Sequence, residues 1–498
     1  MKETDRTEIN RRQFMRKSAC ASLGATGMVS TLAHLSLLNS ALANQAALVG
    51  DYKALVCIFL FGGMDSNNML VPKTGHPARA DYDNARGILA IPNGTLATIN
   101  PDNTTDPYGL HPDLSPMADL FNAGELAFVA NTGSLAYPVA SRDDFINETV
   151  PLPPQLFSHS DQQVQWQSSI PDKPFQSGWG GRIADIINGS YNDLSQVSMC
   201  ISLGGLNEFQ VSQSGGIVQY AATTSGAISL SGYGTNYQNA LNADGSYKTG
   251  TTGQRLKAYE DIMRHTHDHL FEEGYNKVVR RARESEATVN GALVEAAASG
   301  VDFDAMFMNA DTKLGDQLKM VSRLIAGRNC LGNRRQIFFC SQGGFDTHSD
   351  QNGDLSNLYL ELGNGVKAFS DTLSALGVND RVLTCTHSDF TRTLTPNGED
   401  FSSSGSDHAW GGHQIVMGGP VNGKNIYGTF PSLAVGADND TDRNRGRWIP
   451  STSVDQYGAV CARWMDVESS ALELIFPNLG RFNDPFGATA NLGFVTIT

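Results

Sequence analysis

The run Lys53-Ala54-Leu55-Val56-Cys57-Ile58-Phe59-Leu60-Phe61 is stopped by Gly62-Gly63 and followed by Met64-Asp65. An amphipathic strand would alternate apolar with polar residues. An unbroken apolar run of this length, closed by glycine, predicts a strand covered on both faces, as in a parallel sheet. Working outward, Glu125–Ala130, Gln336–Cys340 and Arg381–Thr386 read the same way, and Gln414–Met417 is a further short strand. Between the third and fourth runs, Leu355, Leu358, Leu362, Val366, Phe369, Leu373 and Leu376 recur at helical spacing. Strand, helix, strand is a βαβ unit, which predicts an α/β fold with an open, mostly parallel sheet flanked by helices. Residues 206–253 are rich in Ser, Gly, Thr and Asn without a period and read as an irregular insertion, and 254–326 as mainly helical.

The N-terminus carries Arg11-Arg12-Gln13-Phe14-Met15-Arg16-Lys17, then no charged residue from Ser18 to Asn44, with Ala41-Leu42-Ala43 as a cleavage site. This predicts a twin-arginine signal peptide over 1–43, a folded domain over 44–498 with 206–326 as its insertion region, and a periplasmic or secreted location. The translocase of that route is then a partner during export. No later apolar run is long enough to span a membrane, so the mature form is expected to lack a stable span. The chain holds 36 Lys+Arg against 51 Asp+Glu, a net charge of −15. Removing 1–43 takes away six bases and three acids and leaves −18. So acidic a chain excludes a nucleic-acid backbone as partner, but a metal or local arginines can still bring in an anion. Cys57, Cys200, Cys340 and Cys385 lie inside apolar runs and read as buried thiols, and no CxxC pair supports a thiolate zinc site.

In open α/β sheets, ligands bind beyond the C-terminal ends of the strands. Three runs end there in a turn and a carboxylate: Gly62-Gly63-Met64-Asp65, Gly343-Gly344-Phe345-Asp346-Thr347-His348 and His387-Ser388-Asp389. A fourth segment, Asp407-His408-Ala409-Trp410-Gly411-Gly412-His413, precedes the Gln414–Met417 strand. Asp65, Asp346, His348, Asp389, Asp407, His408 and His413 together offer the oxygen and nitrogen donors of a divalent metal site, for zinc, manganese or calcium. The alternative is turn chemistry, with the aspartates capping helices. The histidine cluster His265, His267, His269 reads as a solvated helix face among charged neighbours and is set aside.

Those segments, with the twin-arginine leader, Gly109-Leu110-His111-Pro112-Asp113 and Ser388-Asp389-Phe390-Thr391-Arg392, resemble the exported bacterial family catalogued as domain of unknown function fifteen-oh-one. That family is similar to the alkaline phosphatase and sulfatase superfamily. The resemblance implies a doubly wound, alkaline-phosphatase-like sheet and one or two divalent metals. It implies Asp65 as the first-strand ligand, Asp346 and His348 as a pair on one metal, Asp389 as the later acid, and Asp407-His408 with His413 as the C-terminal ligands. Relatives carry Glu where Asp389 stands, and His387 is a candidate to make up the shorter reach. Phe157-Ser158-His159-Ser160-Asp161 corresponds to the family's Ser-His-Phe segment, which makes Ser158 the candidate nucleophile beside a capping role. Arg142, Arg182 and Arg392 are candidates to grip substrate oxygens.

The expectation is an exported metal-dependent hydrolase of phosphate or sulfate esters, acting on an anionic small molecule or polysaccharide ester through a Ser or water nucleophile. The alternative is an envelope protein with a binding or structural role that keeps the fold without turnover.

Overall fold

The computed structural model describes residues 52–192, 195, 197–227, 237–242, 246–264 and 285–497. Residues 1–43, expected from the sequence to be a signal peptide, and His265, His267 and His269 lie outside the described residues. Among the described residues the main sheet has nine strands: β1 (Lys53–Leu60), β2 (Leu126–Gly133), β3 (Cys200–Ser202), β4 (Tyr220–Ala221), β5 (Arg335–Gln342), β6 (Val382–Ser388), β7 (Gly412–Met417), β8 (Ile426–Gly428) and β9 (Thr452–Ser453). Their order across the sheet is β8-β2-β7-β6-β1-β5-β3-β4, with β9 also on β2. β1 pairs in parallel with β5 on one side and β6 on the other, so the βαβ unit read from sequence straddles β1.

Every residue from Ala54 to Leu60 is fully buried. Ala54, Val56, Ile58 and Leu60 join the core on one face, and Leu55, Cys57 and Phe59 the core on the other. A strand with period-2 side chains and a core on each side has no polar face to offer, which is why its sequence runs apolar without a break. The first core is closed by α1 (Ser115–Ala123), α4 (Lys313–Ala326) and α5 (Gln351–Ala375). The second is closed by α2 (His159–Ser168), α3 (Trp179–Tyr191) and α6 (Val454–Trp464). This is the doubly wound, mostly parallel α/β architecture. Cys57, Cys200, Cys340 and Cys385 are buried and unbridged within it. No helix among the described residues is long and apolar enough to cross a membrane.

One strand departs from the rest. β7 runs antiparallel to both β2 and β6. Its start therefore lies at the edge of the sheet where β1, β5 and β6 end. The Asp407–His408 segment, which precedes β7, thus meets segments that follow the other strands.

Candidate metal centre

At that edge His159 Nε2, Asp346 Oδ1 and His408 Nε2 form a triangle, with edges of 3.1 Å between the histidines and 3.3 and 3.4 Å from the carboxylate to each. Donor atoms at about 2.0–2.1 Å from a tetrahedral ion stand about 3.3 Å apart. His348 Nε2 abuts one edge of the triangle, 3.0 Å from Asp346 Oδ1 and 2.9 Å from His408 Nε2. The group is open to solvent, with Asp346 about half exposed and His348 nearly so.

The far nitrogen of each imidazole is occupied. His159 Nδ1 donates to Asp389 Oδ2 at 2.6 Å. His408 Nδ1 donates to the Phe157 carbonyl at 2.7 Å, and His348 Nδ1 to Asp407 Oδ1 at 3.2 Å. A carbonyl or carboxylate can only accept, so the ring proton sits on Nδ1 and the Nε2 lone pairs converge. Lone pairs this close repel unless a cation or a proton lies between them. The Asp389 hydrogen bond raises the pKa of His159, so a proton can serve there, and a metal ion would compete with it. Burial lowers His408, and burial with the Arg392 charge lowers His348. Burial pushes the Asp346 carboxyl up, but the Arg392 hydrogen bond and charge outweigh it and hold the group below the usual carboxylate range.

Local backbone builds this arrangement. Phe157 takes the left-handed conformation, φ 71°, which is costly for an aromatic residue. Its amide donates to Gln162 Oε1 at 2.6 Å while its carbonyl receives His408. Gly62, at φ 111°, would put a Cβ 2.4 Å from the Asp346 amide nitrogen. The glycines after β1 thus let the two strand ends touch. Gly62→Ala is expected to cost about 2–4 kcal/mol through the forced φ and the backbone collision, read as a lower melting temperature in calorimetry. A melting temperature equal to wild type would show that the turn tolerates a side chain.

The residues expected at the site fall into three sets. Asp346 and His408 are in the triangle, His348 on its edge. Asp389 and Asp407 stand behind it: Asp389 Oδ2 also accepts from Gly62 N and Gln163 Nε2, and Asp407 pairs with Arg445. Asp65, His413 and Arg182 are elsewhere. Asp65 is buried in an ion pair with Arg86, takes Gln351 Nε2 at 2.5 Å, and makes no side-chain cap of the short helix it precedes. His413 is buried, accepts from Asn131 N and stacks on Phe430. Burial lowers its pKa to about 3, so it stays neutral. Arg182 is buried and gives its donors to the carbonyls of Ile475, Ser177 and Ser168. Arg392 does reach the centre, but holds Asp346 Oδ1 at 2.8 Å and the carbonyls of Gly62 and Ser406.

His387 does not compensate for the shorter Asp389. It is buried in β6 with Nδ1 3.3 Å from Cys57 Sγ, boxed by Trp166, Trp179 and Phe209. Ser158 Oγ donates to Asp161 Oδ2 at 2.5 Å, and it is the N-cap residue of α2 without a side-chain capping bond. The residue that joins the centre from this segment is His159, the neighbour of Ser158. Its signal was already in the quoted Ser-His pair.

No curated protein matches the chain. Among solved structures, the crystal structure of PsFucS1 sulfatase from Pseudoalteromonas sp. aligns at 10% identity over 81% of this chain and 69% of that one, with a TM-score of 0.30. Residues 52–445 match the family described as "Protein of unknown function (DUF1501)", and the chain belongs to that family.

Proposed function

We propose that the protein is an exported, metal-dependent hydrolase of anionic esters, of the phosphate or sulfate type, whose ion is held by His159, Asp346 and His408. The observation that carries this is the triangle of lone pairs together with the acceptors that fix all three imidazole tautomers. Such support behind the ligands is what metal-binding histidines require. Two nitrogens and one carboxylate oxygen favour zinc or manganese over calcium, which takes oxygen donors. A divalent ion there would supply a Lewis acid and make water acidic enough to attack near neutral pH.

The chain's own groups have distinct roles in this reading. Arg392 orients Asp346 by donating to Oδ1, the oxygen that belongs to the triangle. The Asp407–His348 pair resembles a carboxylate-oriented base: Nδ1–H is held, and the Nε2 lone pair, at the edge of the triangle, would take a proton from water beside the ester. Water is favoured over Ser158 as nucleophile, since the Ser158 hydroxyl is engaged by Asp161. The twin-arginine leader supports export of a chain already folded around its ion.

The test is metal stoichiometry of the purified protein by mass spectrometry, beside turnover of 4-nitrophenyl sulfate, phosphate and phosphodiester. About one equivalent of zinc or manganese with turnover is the expected result. Metal without turnover on any ester would favour the envelope-binding role. No metal after reconstitution would overturn the assignment.

A further inference from the structure

Of the arginines suggested by the sequence, Arg182 gives its donors to carbonyls, and Arg392 commits its terminal nitrogens to Asp346 and two carbonyls. A different pair packs against residues that support the centre, in Asp442-Arg443-Asn444-Arg445-Gly446-Arg447. This loop is fixed from beneath by Asp440. Its fully buried carboxylate accepts four backbone amides, those of Gly436, Asp442, Gly446 and Arg447, at 2.9–3.2 Å. Gly446 turns the chain at φ 68° under Leu394 and Trp448, where a Cβ would collide. The turn sends the arginines on either side of it to two parts of the centre. Arg445 pairs with Asp407, the carboxylate behind His348, and is 42% exposed. The Arg447 guanidinium lies 4.7 Å over the Phe157 ring, the residue whose carbonyl locks His408.

Of the two loop arginines, Arg447 is the less committed. Its Nε is buried without a partner, and among the described residues its nearest carboxylate is Asp442 at 3.6 Å, beyond hydrogen-bond reach. The side chain is 21% exposed and only loosely paired, so an anion arriving from solvent can reach its guanidinium in competition with Asp442. The planar fork, stacked on an aromatic ring, is preorganised for two oxygens of a tetrahedral anion.

We infer that Arg447, with Arg445 beside it, is the anion-recognition site for the sulfuryl or phosphoryl group of the substrate. This rests on the ester-hydrolase reading of the adjacent centre, and its test is kept separate from turnover. Methyl sulfate and methyl phosphate are titrated calorimetrically into the zinc-reconstituted full chain, its Arg447→Met variant and its Arg447→Lys variant, with metal content measured for each.

Loss of one charge-assisted fork weakens binding about ten- to a hundredfold. Arg447→Met should show this with metal content unchanged, and Arg447→Lys should recover part of it. A second readout uses wild-type protein alone: either anion should protect Arg447 from modification by phenylglyoxal, mapped by peptide mass spectrometry. Equal affinity in Arg447→Met with metal retained, or no protection of Arg447, overturns the inference. Arginine-dependent anion binding in a protein that takes up no metal would sink the hydrolase reading and leave this one standing.

Discussion

His159→Ala should release the bound divalent metal and abolish turnover, while Ser158→Ala leaves metal content as in wild type. The two residues are neighbours, but only one has a lone pair in the triangle. Alanine at 159 removes one of three donors and strands Asp389, whose Oδ2 would keep only Gly62 N and Gln163. Removing even a group that merely supports a ligand costs about 10- to 100-fold in metal affinity. Loss of the ligand itself should exceed that and leave the metal undetectable after dialysis. Asp389→Asn should fall in the 10- to 100-fold range, because its amide can still accept from Nδ1 but carries no charge. Competition with a chromogenic chelator measures all three variants. Metal retained at full stoichiometry in His159→Ala would show that the ion, if present, sits on other residues.

The strands were legible because both faces of the sheet are covered. Burial on both sides turns a period-2 signal into an unbroken apolar run, and glycine marks its end at β1. Asp346 and His408 were legible for a related reason, since they follow or precede such runs by a few residues. His159 follows no strand. It is reached through a segment of loop whose Phe157 holds a left-handed backbone, and nothing in residue type announces that conformation. The direction of β7 was likewise hidden, because an apolar run reads the same whichever way it points. Asp65 has the same sequence setting and a different place in the fold. Glycines and position matched a ligand, yet Arg86, 21 residues on, enters the core to neutralise it. Asp346 and Asp65 each meet an arginine, and it is packing, which no local pattern encodes, that leaves the first open beside two imidazoles and buries the second away from them. Arg445 and Arg447 carry no local signal, since a charged loop is ordinarily solvent-facing and their placement comes from the Asp440 staple and the Phe157 ring beneath.

Asp455→Asn should stabilise the protein at pH 8 far more than at pH 5. Asp455 stands in the first turn of α6, fully buried, and neither of its carboxylate oxygens has a hydrogen bond of normal geometry. Burial pushes its pKa up to about 7, and the Ser169 hydroxyl and the Arg182 charge offset this only in part. Arg182 is committed to backbone carbonyls and does not close on it. The sign follows from proton counting. Between about pH 4, where the unfolded carboxyl ionises, and pH 7, the native state holds a proton that the unfolded state has lost. Stability therefore falls as pH rises through this window and levels off above it. A rise from the ordinary value to about 7 is worth about 4 kcal/mol once the group is charged in both states. Asparagine keeps the shape and removes the charge. Its advantage in urea denaturation should grow from about 1–2 kcal/mol at pH 5 to about 4 kcal/mol at pH 8. An advantage independent of pH, or a loss of stability at pH 8, would mean that the charged Asp455 is paired in solution. None of His159, Asp346 and His408 is bonded to Asp455, so metal content at pH 8 should stay that of wild type in Asp455→Asn.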